Sequence, residues 1–71
     1  MSPDKMVRMA NQIAKFFASQ PEVARVSGVA NHINDFWEPR MRAALLAHIA
    51  AGGEGLDPLG IEASAQLHAP A

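Results

Sequence analysis

The sequence predicts an all-α fold, a small bundle of three helices plus a short C-terminal fourth helix. Three observations predict it. Apolar residues recur three and four positions apart through two segments, Met6 to Phe17 and Val26 to Trp37, which is the period of a helix with one buried face. Proline and glycine punctuate the chain at Ser19-Gln20-Pro21, Glu38-Pro39, Gly52-Gly53 and Asp57-Pro58, leaving four stretches that can each be helical. The 71 residues are 49% hydrophobic and 18% charged and include no cysteine, so they make one domain, too apolar for disorder and without disulfide staples. Residues 1–67 are read as a single helical domain and 68–71 as a tail that frays.

The first helix opens at Ser2-Pro3-Asp4, with Ser as N-cap, Pro at the first helical position and an acid in the first turn. Met6, Met9, Ala10, Ile13, Phe16 and Phe17 form its inward stripe, with Arg8, Asn11 and Lys15 largely opposite. Ser19-Gln20-Pro21 closes it, because the residue before a proline is pushed out of the helical region. Pro21 opens a second helix running to about Phe36, whose stripe is Val26, Val29, Ala30, Ile33, Phe36 and Trp37. Gly28 inside that helix costs up to about 1 kcal/mol relative to Ala and points to close packing or a weak first turn. Glu38-Pro39 starts a third helix, Arg40 to about Ala51, with Met41, Leu45 and Ile49 inward, and Gly52-Gly53 stops it. Asp57-Pro58 opens a short fourth helix through about Leu67.

The first two helices echo one another at an offset of 20 residues. Residues 9–17 (MANQIAKFF) align with 29–37 (VANHINDFW), with four identities in nine positions. Duplication and shared amphipathic periodicity both account for this, and either suits an αα-hairpin whose members pack by equivalent faces.

Charge narrows what such a chain binds. Six Lys/Arg against seven Asp/Glu give a net charge of −1 and a pI near 6.2. A nucleic-acid module carries a basic stripe, because its affinity comes from clustered cations that displace counterions. Here the longest basic cluster is Arg40 and Arg42. No stretch approaches the ~18 apolar residues of a membrane span, and Met1–Met9 lacks the apolar run of a signal peptide. The chain therefore reads as cytoplasmic, with no nucleic acid and no membrane among its partners. At this size the apolar area buried on folding and the entropy of ordering the chain nearly cancel, each on the order of 100 kcal/mol. Such a chain leans on a partner.

Little in the sequence carries chemistry. His32, His48 and His68 are spaced 16 and 20 apart, unlike the tight pairs that bind metals, and no cysteine can complete a ligand set. No catalytic, cofactor-binding or metal residue is assigned. Gly52-Gly53-Glu54-Gly55 follows a helix and lacks a lysine, so it reads as a helix stop and turn instead of a phosphate loop. That turn also offers main chain to a partner, with Gly53 and Leu56 as candidate contacts. Phe36-Trp37-Glu38-Pro39-Arg40-Met41-Arg42 gathers two aromatics, two guanidinium groups and a fixed kink, the residue types enriched in binding hot spots. From it Phe36 is assigned to the core, Trp37 to a corner between core and partner, and Arg40 and Arg42 to exposed interface positions. Asn11 and Asn31 sit mid-helix, where Asn is a poor former, either on a solvated face or bonding a partner's main chain.

Taken in order, Met9-Ala10-Asn11-Gln12-Ile13, Phe16-Phe17, Val29-Ala30-Asn31-His32-Ile33, residues 36–42 (FWEPRMR) and residues 52–59 (GGEGLDPL) resemble the delta subunit of bacterial NAD-dependent, molybdenum-containing formate dehydrogenase. The resemblance covers about Lys5 to Leu59. It implies an accessory subunit that docks on the catalytic alpha subunit and supports cofactor insertion or complex stability. The complex it implies also holds beta and gamma subunits and carries bis-molybdopterin guanine dinucleotide, iron–sulfur clusters, FMN and NAD, none of them bound by this chain. Two rivals stand beside it: an assembly chaperone that leaves after cofactor loading, and a small helical DNA-binding or regulatory protein.

Overall fold

The computed structural model describes residues 2–69 and forms four α-helices among them: α1 Pro3–Ala18, α2 Glu22–Phe36, α3 Pro39–Ala50 and α4 Pro58–Ala63, followed by a 3-10 turn, Ser64–Gln66. No strand occurs among the described residues. The small helical bundle expected from periodicity is the observed fold.

The helix ends follow local chemistry. Lys5 N–H donates to Ser2 Oγ at 3.2 Å, and Pro3 occupies the first position of α1. Asp57 caps α4 the same way, its Oδ1 accepting from Leu59 N–H at 2.8 Å ahead of Pro58. The end of α3 is a Schellman turn. Gly52 N–H donates to Ile49 O and Gly53 N–H to His48 O, while both glycines hold positive φ, +121° and +65°. A side chain there would be strained, which is why two glycines stand at this stop.

Three boundaries differ from expectation. Pro21 is the N-cap of α2 and not its first helical residue. α3 spans Pro39–Ala50, one residue earlier at each end than expected. The fourth helix ends at Ala63, and tightens into the 3-10 turn before Leu67, which is extended.

α2 is the central helix, packed on α1 to one side and on α4 to the other, while α1 also reaches α4. The buried core is Met6 and Ala10 from α1, Val29, Ala30 and Ile33 from α2, Trp37 just past its end, Leu45 from α3, and Leu56 and Ala63 around α4. Close approach of α1 and α2 rests on small residues. Ala10, Ala14 and Ala30 are buried, and the Phe17 ring lies flat against Gly28, where a Cβ would stand 2.4 Å from Phe17 Cδ1. Gly28 is therefore a close-packing glycine. α3 is the least embraced of the long helices: its main packing partner is α1, and it is anchored by Leu45 with Met41 and Ile49 partly buried.

Two inward assignments are corrected. Phe36 is 74% exposed and Phe16 63% exposed, although helical periodicity puts both on inward stripes. In α1 the buried line runs Met6, Ala10, Ala14, and Phe16 lies well round the helix from it. In α2 Phe36 falls at the stripe's edge on the last turn, and the next residue, Trp37, takes the inward position at 6% exposure. The echo survives in this detail: Phe16 and Phe36, equivalent at the 20-residue offset, are both outside.

Candidate interaction surfaces

Two asparagines on the helices each grip a distant stretch of main chain with both amide atoms. Asn11 Nδ2 donates to Gly55 O and Asn11 Oδ1 accepts from Asp57 N–H, both at 2.9 Å. Asn11 thus pins the loop between α3 and α4 to α1. Asn34 does the same to the segment after the 3-10 turn, donating to Gln66 O at 3.0 Å and accepting from His68 N–H at 2.8 Å. His68 O in turn accepts from Arg42 Nε at 3.0 Å, and Arg42 Nη1 donates to Trp37 O at 2.6 Å. Residues 66–68 therefore form a strap tied to α2 through Asn34 and to α3 through Arg42. The segment expected to fray is held at His68; Pro70 and Ala71 lie outside the described residues.

These contacts place the candidate interface residues. Arg42 is half-buried and engaged within the chain, a correction to its assignment as an exposed arginine. Asn11 bonds the chain's own loop. Trp37 is buried and does not stand half-exposed at a corner. Gly53 and Leu56 are buried in the turn that Asn11 pins, with the Ile61 side chain against Gly53. Arg40 and Asn31 are exposed. Of the seven, these two stand at the surface, and the others shape what lies beneath it.

Two surface features were not legible beforehand. The first is a groove of about 740 Å³ between the start of α1 and α3, floored by Met6, Met41, Ala44 and Ala47, with Glu38 and Arg40 at one end and His48 in its lining. His48 Nε2–H donates to Glu54 O at 2.8 Å, which ties it to the α3–α4 loop. Beyond Arg42, α3 carries no Asp, Glu, Lys or Arg, and Ala43, Ala44, Ala47 and Ala50 are exposed. The second is a row of aromatic rings. Phe16 meets Phe17 edge-on at 5.0 Å, Phe17 approaches His32 at 6.4 Å, and His32 leans on Phe36 at 4.8 Å. Pairing of the two exposed phenylalanines in the echo was the one signal that could have found it.

No cluster of three or more His, Cys, Asp or Glu positioned to hold a metal occurs among the described residues. No helix among them is long and apolar enough to cross a membrane. A comparison with curated proteins finds no match. Residues 5–64, most of the chain and all of its four helices except the first two residues of α1, match the family described as NADH-dependent formate dehydrogenase delta subunit, FdsD. The segments that carry the resemblance, from Met9-Ala10-Asn11-Gln12-Ile13 to residues 52–59, all lie inside that span, and the chain belongs to the family of formate dehydrogenase delta subunits.

Proposed function

We propose that this chain is a non-catalytic accessory subunit of a cytoplasmic, NAD-dependent, molybdenum-containing formate dehydrogenase, docking on the catalytic alpha subunit and supporting cofactor insertion or the stability of the complex. The family match over residues 5–64 carries the reading. The chemistry of the chain supports it. A sequence without cysteine offers no thiolate for an iron–sulfur cluster, and no group of three or more histidines and carboxylates gathers to hold a metal among the described residues. Those groups belong to the alpha, beta and gamma subunits. What this chain offers is surface: a loosely embraced helix with an uncharged outer side, and a groove beside it ending at Arg40. A guanidinium fork there suits a carboxylate or a carbonyl row on the alpha subunit. Arg42 contributes from behind by fixing α3 to the end of α2.

The test is co-purification of the tagged full-length chain with mass identification of what it retains, followed by weighing the chains of the mature enzyme purified under mild conditions. The alpha subunit is expected in fixed ratio in both. Recovery without any formate dehydrogenase subunit overturns the docking role, and presence only on enzyme lacking its molybdenum cofactor makes the chain a transient chaperone.

A further inference from the structure

We propose that the aromatic row Phe16–Phe17–His32–Phe36 is a docking ridge that seats in an uncharged, apolar concavity of the catalytic alpha subunit, and that it is separate from the groove beside α3. The inference rests on the docking role above and adds the surface that performs it. Phe16 and Phe36 are 63% and 74% exposed, and the two rings between them make the row continuous. A chain of this size with a hydrophobic core to fill leaves two phenylalanines outside at a cost in solubility, and that cost is offset when the rings are covered. Beside the row runs a second groove, of about 530 Å³, lined by Met9, Gln12 and Ile13 along with three of the rings. None of the residues lining it is Asp, Glu, Lys or Arg.

Charge and area identify the occupant. A carboxylate or ammonium brought against this lining is desolvated with no ion in the lining to pair it, the charges nearest in sequence, Arg8, Lys15 and Asp35, being exposed outside it. The surface facing the lining is therefore uncharged, of leucine and methionine type, with at most a polar group for Gln12 or His32. The two exposed rings present roughly 250–300 Å². A second copy meeting them ridge to ridge buries about twice that, roughly half the ~1,200 Å² of a stable specific interface. A larger subunit that receives the ridge in a concavity also covers its flanks, and aromatic side chains at the centre of such a contact are the residues that dominate binding. The groove between α1 and α3 is lined by other residues, so one chain can engage two surfaces.

The experiment uses the full-length chain titrated onto the co-expressed alpha, beta and gamma subunits, with Phe16→Gln, Phe36→Gln and the double variant. Both positions are exposed, so each free variant keeps its helical circular dichroism. The dissociation constant of the double variant is expected to rise about 30-fold or more, as for two truncated hot-spot aromatics. Val23→Gln, at a residue 93% exposed and outside the row, is expected to bind as the parent does. Unchanged binding by the double variant, with Arg40→Ala or Ala44→Glu weakening it, overturns the ridge and leaves the docking role standing. Equal weakening by Val23→Gln overturns it as mere loss of surface hydrophobicity. A dimer of the free chain that the double variant abolishes assigns the ridge to a second copy and overturns it too. Failure of the parent chain to bind any of the three subunits overturns the docking role itself.

Discussion

Gly28 shows how one atom decides a helix pairing. Glycine to alanine inside a helix ordinarily stabilises by up to about 1 kcal/mol, through propensity and a less flexible unfolded chain. At position 28 the added Cβ would stand 2.4 and 2.5 Å from the Phe17 ring and 3.1 Å from its Cγ, so the ring must move. Gly28→Ala is therefore expected to destabilise by about 1–3 kcal/mol, the range for overpacking. Urea denaturation measures it; a midpoint equal to or above the parent's would show that Phe17 relocates freely. Asn11 and Asn31, equivalent in the echo, separate in the same assay. Asn11→Ala strips partners from Gly55 O and Asp57 N–H and is expected to lose about 1 kcal/mol, the low end for an unmade bond because water reaches the site. Asn31→Ala, at an exposed position, stays within about 0.5 kcal/mol. Equal losses at the two positions would mean that the loop needs no pin.

At the scale of elements, α3 is positioned by a strap as much as by its own packing. Asn34→Ala removes both bonds to residues 66–68, and Arg42→Ala removes the bonds to His68 O and Trp37 O. Each is expected to cost about 1–2 kcal/mol. Because they hold the same segment, a double-mutant cycle should show coupling of about 0.5 kcal/mol or more, with faster amide exchange at the start of α3 in both variants. Strict additivity would mean the two ties act independently. The strap also shows where sequence reading stops. Helix starts and stops were legible at Ser2-Pro3, Gly52-Gly53 and Asp57-Pro58 because capping is decided within a few residues. Asn11 and Asn34 bond main chain more than thirty residues away, and nothing local records that. Phe36 and Trp37 were not separable because adjacent positions differ by only 100° around a helix, and both are aromatic. The candidate interface suffered most from this. Trp and Arg in one string signal a hot spot equally well whether they face a partner or, like Trp37 and Arg42, close the chain on itself.

The whole molecule has a radius of gyration of 10.9 Å, close to the about 11 Å expected for 71 residues, so it is as condensed as a folded domain of its length. Its accessible surface, 4589 Å², is near the roughly 4,300 Å² typical of this mass. Part of that surface is apolar and unpartnered: the rings of Phe16 and Phe36 and the outer side of α3 at Ala43, Ala44, Ala47 and Ala50. Four of the ten buried core residues are alanine, so burial gains less per residue than in a leucine-rich bundle. A chain balanced this closely is expected to be helical when isolated, with a broad thermal transition or with self-association through the outer side of α3, which the Phe16→Gln/Phe36→Gln double variant leaves intact. Its unfolding enthalpy, about 50 kcal/mol for this length, is itself too small for a sharp melt. Bound to its partner subunits it gains stability by linkage, about 2.7 kcal/mol when they are present at a hundredfold excess over the dissociation constant. Thermal melts of the free chain at two concentrations and of the complex decide the matter. The complex should protect the helices to a higher temperature, and the free chain's transition should be shallow or shift with concentration. A sharp, concentration-independent transition of the free chain above about 65 °C, beyond the usual mesophile range, would mean the fold is self-sufficient and its exposed rings are no liability.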